Sequence, residues 1–132
     1  MKLLDTTFLI HYWAGRETVR AYLERHEEAT FATTVLNIKE IAVGRELQGE
    51  LDRHEILSRF GWVEILPFRT EHAFTAGELE SELHRDERLN RDGINALTGD
   101  VLIAAVAEET GATVVTENVS DFETLGVSVE SY

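Results

Sequence analysis

Met1-Lys2-Leu3-Leu4-Asp5-Thr6-Thr7-Phe8-Leu9-Ile10 is the stretch whose reading decides the architecture. Lys2 to Leu4 is a short apolar strand that ends on Asp5. Thr6 or Thr7 then offers an N-cap for a helix reaching about Ala14, which Gly15 stops. Moving outward, the same alternation repeats. Val19 to about His26 reads as a second helix, Thr30 to Ala32 as a strand, and Thr33 or Thr34 as the cap of a helix to about Leu47. Leu51 to Phe60 continues helically until Gly61, and Trp62 to Leu66 is a strand after which Pro67 acts as punctuation. Thr70 to about Leu89 is a long acid-rich helix with Phe74, Ala76, Leu79 and Leu83 turned inward. Arg91 to Leu97, which contains Gly93, reads as a loop. Thr98 to Glu109 is a helix apolar nearly all round, hence buried, with Gly111 as its stop. Ala112 to Val115 is an apolar strand, a helical turn follows near Asp121, and Val127 to Val129 is a last strand at a sheet edge. Strands alternating with helices imply parallel pairing through right-handed crossovers. The expected fold is a three-layer α/β domain, residues 1–132, with about five mostly parallel strands flanked by helices.

Composition narrows the function. The 132 residues suit one domain with a core of its own. There is no cysteine, which excludes disulfides and thiolate metal sites and is compatible with a cytoplasmic protein. No signal peptide is visible, and the longest apolar run, Val101 to Ala107, is far short of a membrane span. Asp and Glu total 25 against 12 basic residues, a formal net charge of −13. Such a chain repels a phosphate backbone at long range. A nuclease with this balance needs either cations that invert the sign of its pocket or a salty host that screens the repulsion. Lys2 and Lys39 are the only lysines, a balance that resembles halophile proteins and equally fits an ordinary acidic one.

Four acids stand out by position. Asp5 follows the first strand. Glu40 lies on an apolar helical stripe with Leu36, Val43 and Leu47. Asp100 opens the buried helix, and Asp121 follows the strand Ala112 to Val115. All four can meet at one edge of the sheet, beyond the carboxyl ends of the strands. Carboxylates sharing a cleft cannot all stay ionised unaided, and a divalent cation resolves the repulsion. Oxygen ligands without cysteine or clustered histidine suit Mg2+ or Mn2+. Such ions bind phosphate oxygens and activate water, so phosphodiester hydrolysis is the natural reaction class. Each acid also has an ordinary reading. Asp5 fits a strand terminator and cap, Asp100 a helix-dipole partner, Ser120 or Asp121 with Glu123 a capping box, and Glu40 a buried ion pair with an arginine.

Leu3-Leu4-Asp5-Thr6-Thr7-Phe8-Leu9-Ile10, Gly99-Asp100-Val101-Leu102-Ile103-Ala104-Ala105 and Val114-Val115-Thr116-Glu117-Asn118-Val119-Ser120-Asp121-Phe122 together resemble the PIN-domain family, in its VapC-type toxin form. Glu40 takes the place of the family's mid-chain acid. The resemblance covers essentially the whole chain. It implies strand order 3-2-1-4-5 and an acidic pocket for Mg2+ or Mn2+. Asp5 and Asp100 would be its most direct ligands. Glu40 and Asp121 would complete it, as ligands or by orienting the attacking water. Thr116 matches the family's small hydroxyl residue, and Thr6 fits either that kind of role or an N-cap. Asn118 suits a structural turn. Glu117 adds a negative charge where relatives often carry a basic or neutral residue. The implied activity is an endoribonuclease in which metal-activated water attacks phosphorus and leaves a 5′-phosphate and a 3′-hydroxyl. The implied partners are RNA, a second copy of the chain and a small antitoxin.

Other classes lack their anchors. No HExxH, P-loop, GxGxxG or GxSxG occurs. His11, His26, His54, His72 and His84 read as surface residues. A phosphoreceiver domain needs a lysine after its last strand, and no lysine follows Lys39. Phe8, Ile10 and Trp13 read as core plus dimer surface, with an antitoxin groove as the alternative. Arg88 and Arg91 fit surface ion pairs or phosphate contacts. A housekeeping RNA-processing nuclease and a catalytically silent binding module remain as alternative functions.

Overall fold

The alternation of apolar strands and helices closes into one parallel sheet covered on both faces. The computed structural model describes all 132 residues. In chain order they form β1 (Lys2–Leu4), α1 (Thr6–Trp13), α2 (Glu17–Arg25), β2 (Phe31–Thr34), α3 (Val35–Leu47) and α4 (Arg53–Arg59). There follow β3 (Glu64–Leu66), α5 (Thr70–Arg85), α6 (Arg91–Thr110), β4 (Thr113–Val115), α7 (Val119–Thr124) and β5 (Val129–Glu130). The sheet order is β3-β2-β1-β4-β5, and every pair is parallel. No helix is long and apolar enough to cross a membrane.

Successive strand side chains point to opposite faces, and this divides the core in two. Leu3 pairs with Val114, and both join a cluster with Leu79, Leu97, Ile103 and Phe122 from α5, α6 and α7. Leu4 pairs with Val115, and both join Phe8, Tyr22, Ile41 and Ile56 from α1 to α4. The central strands are apolar on both faces because both faces are covered. Glu130 of the edge strand β5 accepts from the Tyr22 hydroxyl (2.8 Å) and pairs with Lys2, tying the two-residue strand to α2 and β1.

Several expectations are corrected here. Arg91 to Leu97 is helix, not loop. Asn90 caps α6 by accepting from the Gly93 N–H (2.8 Å), and Ile94 and Leu97 continue the buried stripe that Val101 belongs to. Burying two aliphatic side chains outweighs the roughly 1 kcal/mol penalty of one helical glycine. The long helix α5 stops at Arg85, short of the expected Leu89. Its inward stripe is His72, Thr75, Ala76, Leu79 and Leu83, a register that leaves Phe74 73% exposed. His72 is therefore buried rather than on the surface, and its Nδ1 accepts from the Arg69 N–H (2.8 Å) at the start of α5. His11 is also buried, with Nδ1 2.7 Å from the Tyr132 hydroxyl. Neither Thr6 nor Thr7 caps α1, because Asp5 holds that position without a side-chain capping bond. Thr34 does cap α3, accepting from Leu36 and Asn37.

Candidate active site

β1 and β4 are neighbours, yet the chain leaves β1 towards β2 and β4 towards β5, on opposite sides. A parallel sheet opens a crevice beyond the strand ends at such a point. Asp5 is the first residue past β1, and its N–H donates to the Val115 carbonyl (3.1 Å). It is 4% exposed. Its Oδ2 accepts from the hydroxyl of Thr116 (2.7 Å), the first residue past β4. Its Oδ1 accepts from Nδ2 of Asn37 in α3 (3.2 Å). Burial pushes the Asp5 pKa up, and the bonds from Thr116, the Thr6 backbone and Asn37 offset only part of that rise. The carboxylate is thus engaged across the sheet and is no simple helix cap.

Asp100 lies midway along α6 rather than at its start, because the helix begins at Arg91. A mid-helix acid gains nothing from the N-terminal dipole, so the ordinary reading of this residue fails. Its pKa is pushed up to about 7, first by lost hydration and then by the charges of Asp5, Asp121 and Glu40. The four acids named from the sequence therefore share one electrostatic neighbourhood. Glu40 is exposed and has no arginine partner, so it is not the core ion pair that an inward stripe suggested. Most of that stripe faces out: Val43 is 48% and Leu47 83% exposed, while Leu36 alone packs partly buried against the core. Lost hydration and the Asp5 charge raise the Glu40 pKa, opposed by a bond from the Thr6 hydroxyl and by the Lys39 charge. Asp121 sits half-buried in the first turn of α7. The Ser120–Glu123 capping box does not form, since Asn118 holds the N-cap position without a side-chain bond.

The supporting residues sort themselves by contact. Thr116 is fully buried, and its hydroxyl also accepts from the Asn118 N–H (3.0 Å), so one side chain joins Asp5 to the last loop. Asn118 thereby has the turn role expected of it. Thr6 is buried and accepts from Asn37 Nδ2 (3.0 Å). Glu117 is exposed and lies 3.6 Å from His11 Nδ1. Arg88 pairs with Asp86 (2.8 Å), as a surface arginine beside an acid should. Phe8 is core, while Ile10 is 51% exposed and Trp13 stacks under the guanidinium groups of Arg45 (4.8 Å) and Arg59 (5.1 Å). A groove of about 280 Å3 between α1 and α3 is lined by Ile10, Trp13, Glu40, Ile41, Arg45 and Phe60 among others.

Sequence reading missed Asn37. The Thr34-x-x-Asn37 spacing could have placed it at a helix start. Only the adjacency of β1 and β2 brings its amide to Asp5.

The donor set fits a hard divalent cation. It is all oxygen, and its mutual repulsion is what a cation would relieve. No three His, Asp or Glu side chains form a ready-made metal cage. Mg2+ does not require one, since it keeps several waters and is held by one or two carboxylates.

Comparison with known proteins agrees with this geometry. No curated protein matches the chain significantly. Among solved structures, a chain of VapBC2 from Rickettsia felis, bound to a DNA fragment from its promoter, is 22% identical over 99% of this chain and 98% of that one, with a TM-score of 0.78. FitAcB from Neisseria gonorrhoeae is 25% identical over 98% and 96%, with a TM-score of 0.77. VapBC-5 from Mycobacterium tuberculosis, a member of the VapBC family of toxin–antitoxin systems, is 24% identical over 98% and 95%, with a TM-score of 0.60. The PIN domain family matches residues 2–126. With the strand order, the switch-point crevice and the acids gathered there, that match over nearly the whole length makes this chain a member of the PIN-domain family.

Proposed function

We propose that this chain is a Mg2+- or Mn2+-dependent endoribonuclease and the toxin of a toxin–antitoxin pair. The observation that carries the reading is the half-buried Asp100, whose pKa is raised to about 7 first by lost hydration and then by the charges of Asp5, Asp121 and Glu40. A bound divalent cation supplies Lewis acidity: it neutralises phosphate charge, acidifies water and steadies the leaving oxygen. The chain's own residues do the rest. Asp5 is a buried anchor held by Asn37 of α3 and by Thr116 just past β4, and Asp100 and Asp121 add charge beside it. Glu40, at the exposed rim with a raised pKa, can take the proton that the attacking water loses. A water O–P bond forms, the P–O3′ bond breaks, the departing 3′-oxygen takes up a proton from solvent, and the products are a 5′-phosphate and a 3′-hydroxyl.

The fold shared with VapBC and FitAcB chains supports an antitoxin partner. The exposed apolar side chains Ile10, Val43 and Leu47 offer the kind of face that partners or a second copy cover. The test is to incubate the purified chain, freed of any bound protein, with total RNA and Mg2+ or Mn2+ over a salt series. Asp100→Asn serves as control. Cleavage that requires the metal and vanishes in the variant supports the reading. A folded chain that cuts no RNA at any salt or with either metal refutes it.

A further inference from the structure

Asn37 has no exposed surface, and its side-chain amide is bonded at both ends. Oδ1 accepts from the Thr34 backbone N–H (3.2 Å) and the Thr34 hydroxyl (2.6 Å), closing a reciprocal cap at the start of α3. Nδ2 donates to Asp5 Oδ1 (3.2 Å) and to the Thr6 hydroxyl (3.0 Å). The amide can point only one way. Reversed, its NH2 would meet the Thr34 N–H, and its oxygen would meet the Asp5 carboxylate.

The cap alone does not call for an amide. An aspartate would accept from Thr34 equally well, but it would set a second carboxylate against Asp5. Only asparagine serves the cap with an oxygen and Asp5 with a donor at the same length. Thr116 grips the other Asp5 oxygen from the end of β4 (2.7 Å). The carboxylate is therefore held from the α3 side and from β4's side, and with the bond from the Thr6 backbone it fills three of its four acceptor sites and keeps one lone pair free.

We propose that Asn37 is a positioning residue of this site, fixing the Asp5 carboxylate in the one orientation that presents its remaining lone pair to a divalent cation. This rests on reading the crevice as a cation site. Groups that orient a metal ligand typically change affinity by about 10- to 100-fold when removed.

The experiment titrates the full-length chain with Mn2+ alone, following free Mn2+ by electron paramagnetic resonance, and records the melting temperature alongside. Asn37→Ala should raise the Mn2+ dissociation constant about 10- to 100-fold. Asn37→Ser, which keeps a small polar group near the cap but cannot reach Asp5, should do the same and stands in if the alanine variant does not fold. Ile41→Val trims the buried face of the same helix and controls for stability. It should lower the melting temperature while leaving Mn2+ affinity unchanged. Native Mn2+ affinity in a folded Asn37 variant would overturn the proposal, as would an equal loss in Ile41→Val. If the wild-type chain itself fails to bind Mn2+, the cation site falls and the role of Asn37 falls with it, a pattern distinct from the other two.

Discussion

Asp100→Asn should make the chain more stable while abolishing its proposed activity. In the folded protein the Asp100 carboxyl titrates at about 7 rather than 3.8, and no hydrogen bond opposes that shift. Below pH 3.8 the group is neutral in both states and contributes nothing. Between 3.8 and about 7 the unfolded chain ionises while the folded chain holds its proton, so stability falls as pH rises. Above about 7 the penalty is complete. Taken at face value it reaches about 4 kcal/mol, and solvent screening at this partly exposed site reduces it to about 1–2 kcal/mol. Asparagine has the same shape and no charge. At pH 8 in chelator the variant should melt about 4–8 °C above the wild type, using about 4 °C per kcal/mol for a chain of this size. The gain should shrink as pH falls and vanish near pH 4. Thermal melts of both proteins from pH 4 to pH 8 measure it. A variant that melts at or below the wild type at pH 8, or a gain independent of pH, would refute the claim that burial and neighbouring like charge hold Asp100 protonated in the folded chain.

Two further outcomes probe the site and the fold. Thr116→Val keeps the volume but removes the donor to Asp5 and the acceptor for the Asn118 N–H. Urea unfolding near neutral pH should show a loss of about 1–3 kcal/mol, and an unchanged midpoint would mean these bonds add nothing. Phe74→Ser should change stability by no more than about 0.5 kcal/mol, because the ring is 73% exposed. A loss of about 3 kcal/mol or more would restore the inward register read from the sequence.

The chain's own letters determined the architecture because both of its signals are local. Leu3-Leu4 and Val114-Val115 are short apolar runs that only a covered parallel strand needs, and the helices between them carry period and stop signals such as Gly111. The first run located Asp5, since the residue past a strand's carboxyl end falls at the crevice whatever the loops do, whereas Thr116 was named only through the family resemblance. Where a signal was ambiguous the sequence misled. Gly93 suggested a loop, but Ile94 and Leu97 had a core to enter. Phe74 suggested an inward face, but α5 turned His72, Ala76 and Leu79 to the core instead. Glu40 suggested a buried pair, but it lies exposed beside Val43 and Leu47, which also face outward. Tertiary structure alone decided that Asp100 sits mid-helix within reach of three other charges. It alone decided that Asn37, an ordinary residue at a helix start, holds Asp5. Local patterns record which face of an element is apolar. The meeting of residues 5, 37 and 116 depends on strand order, which no local pattern contains.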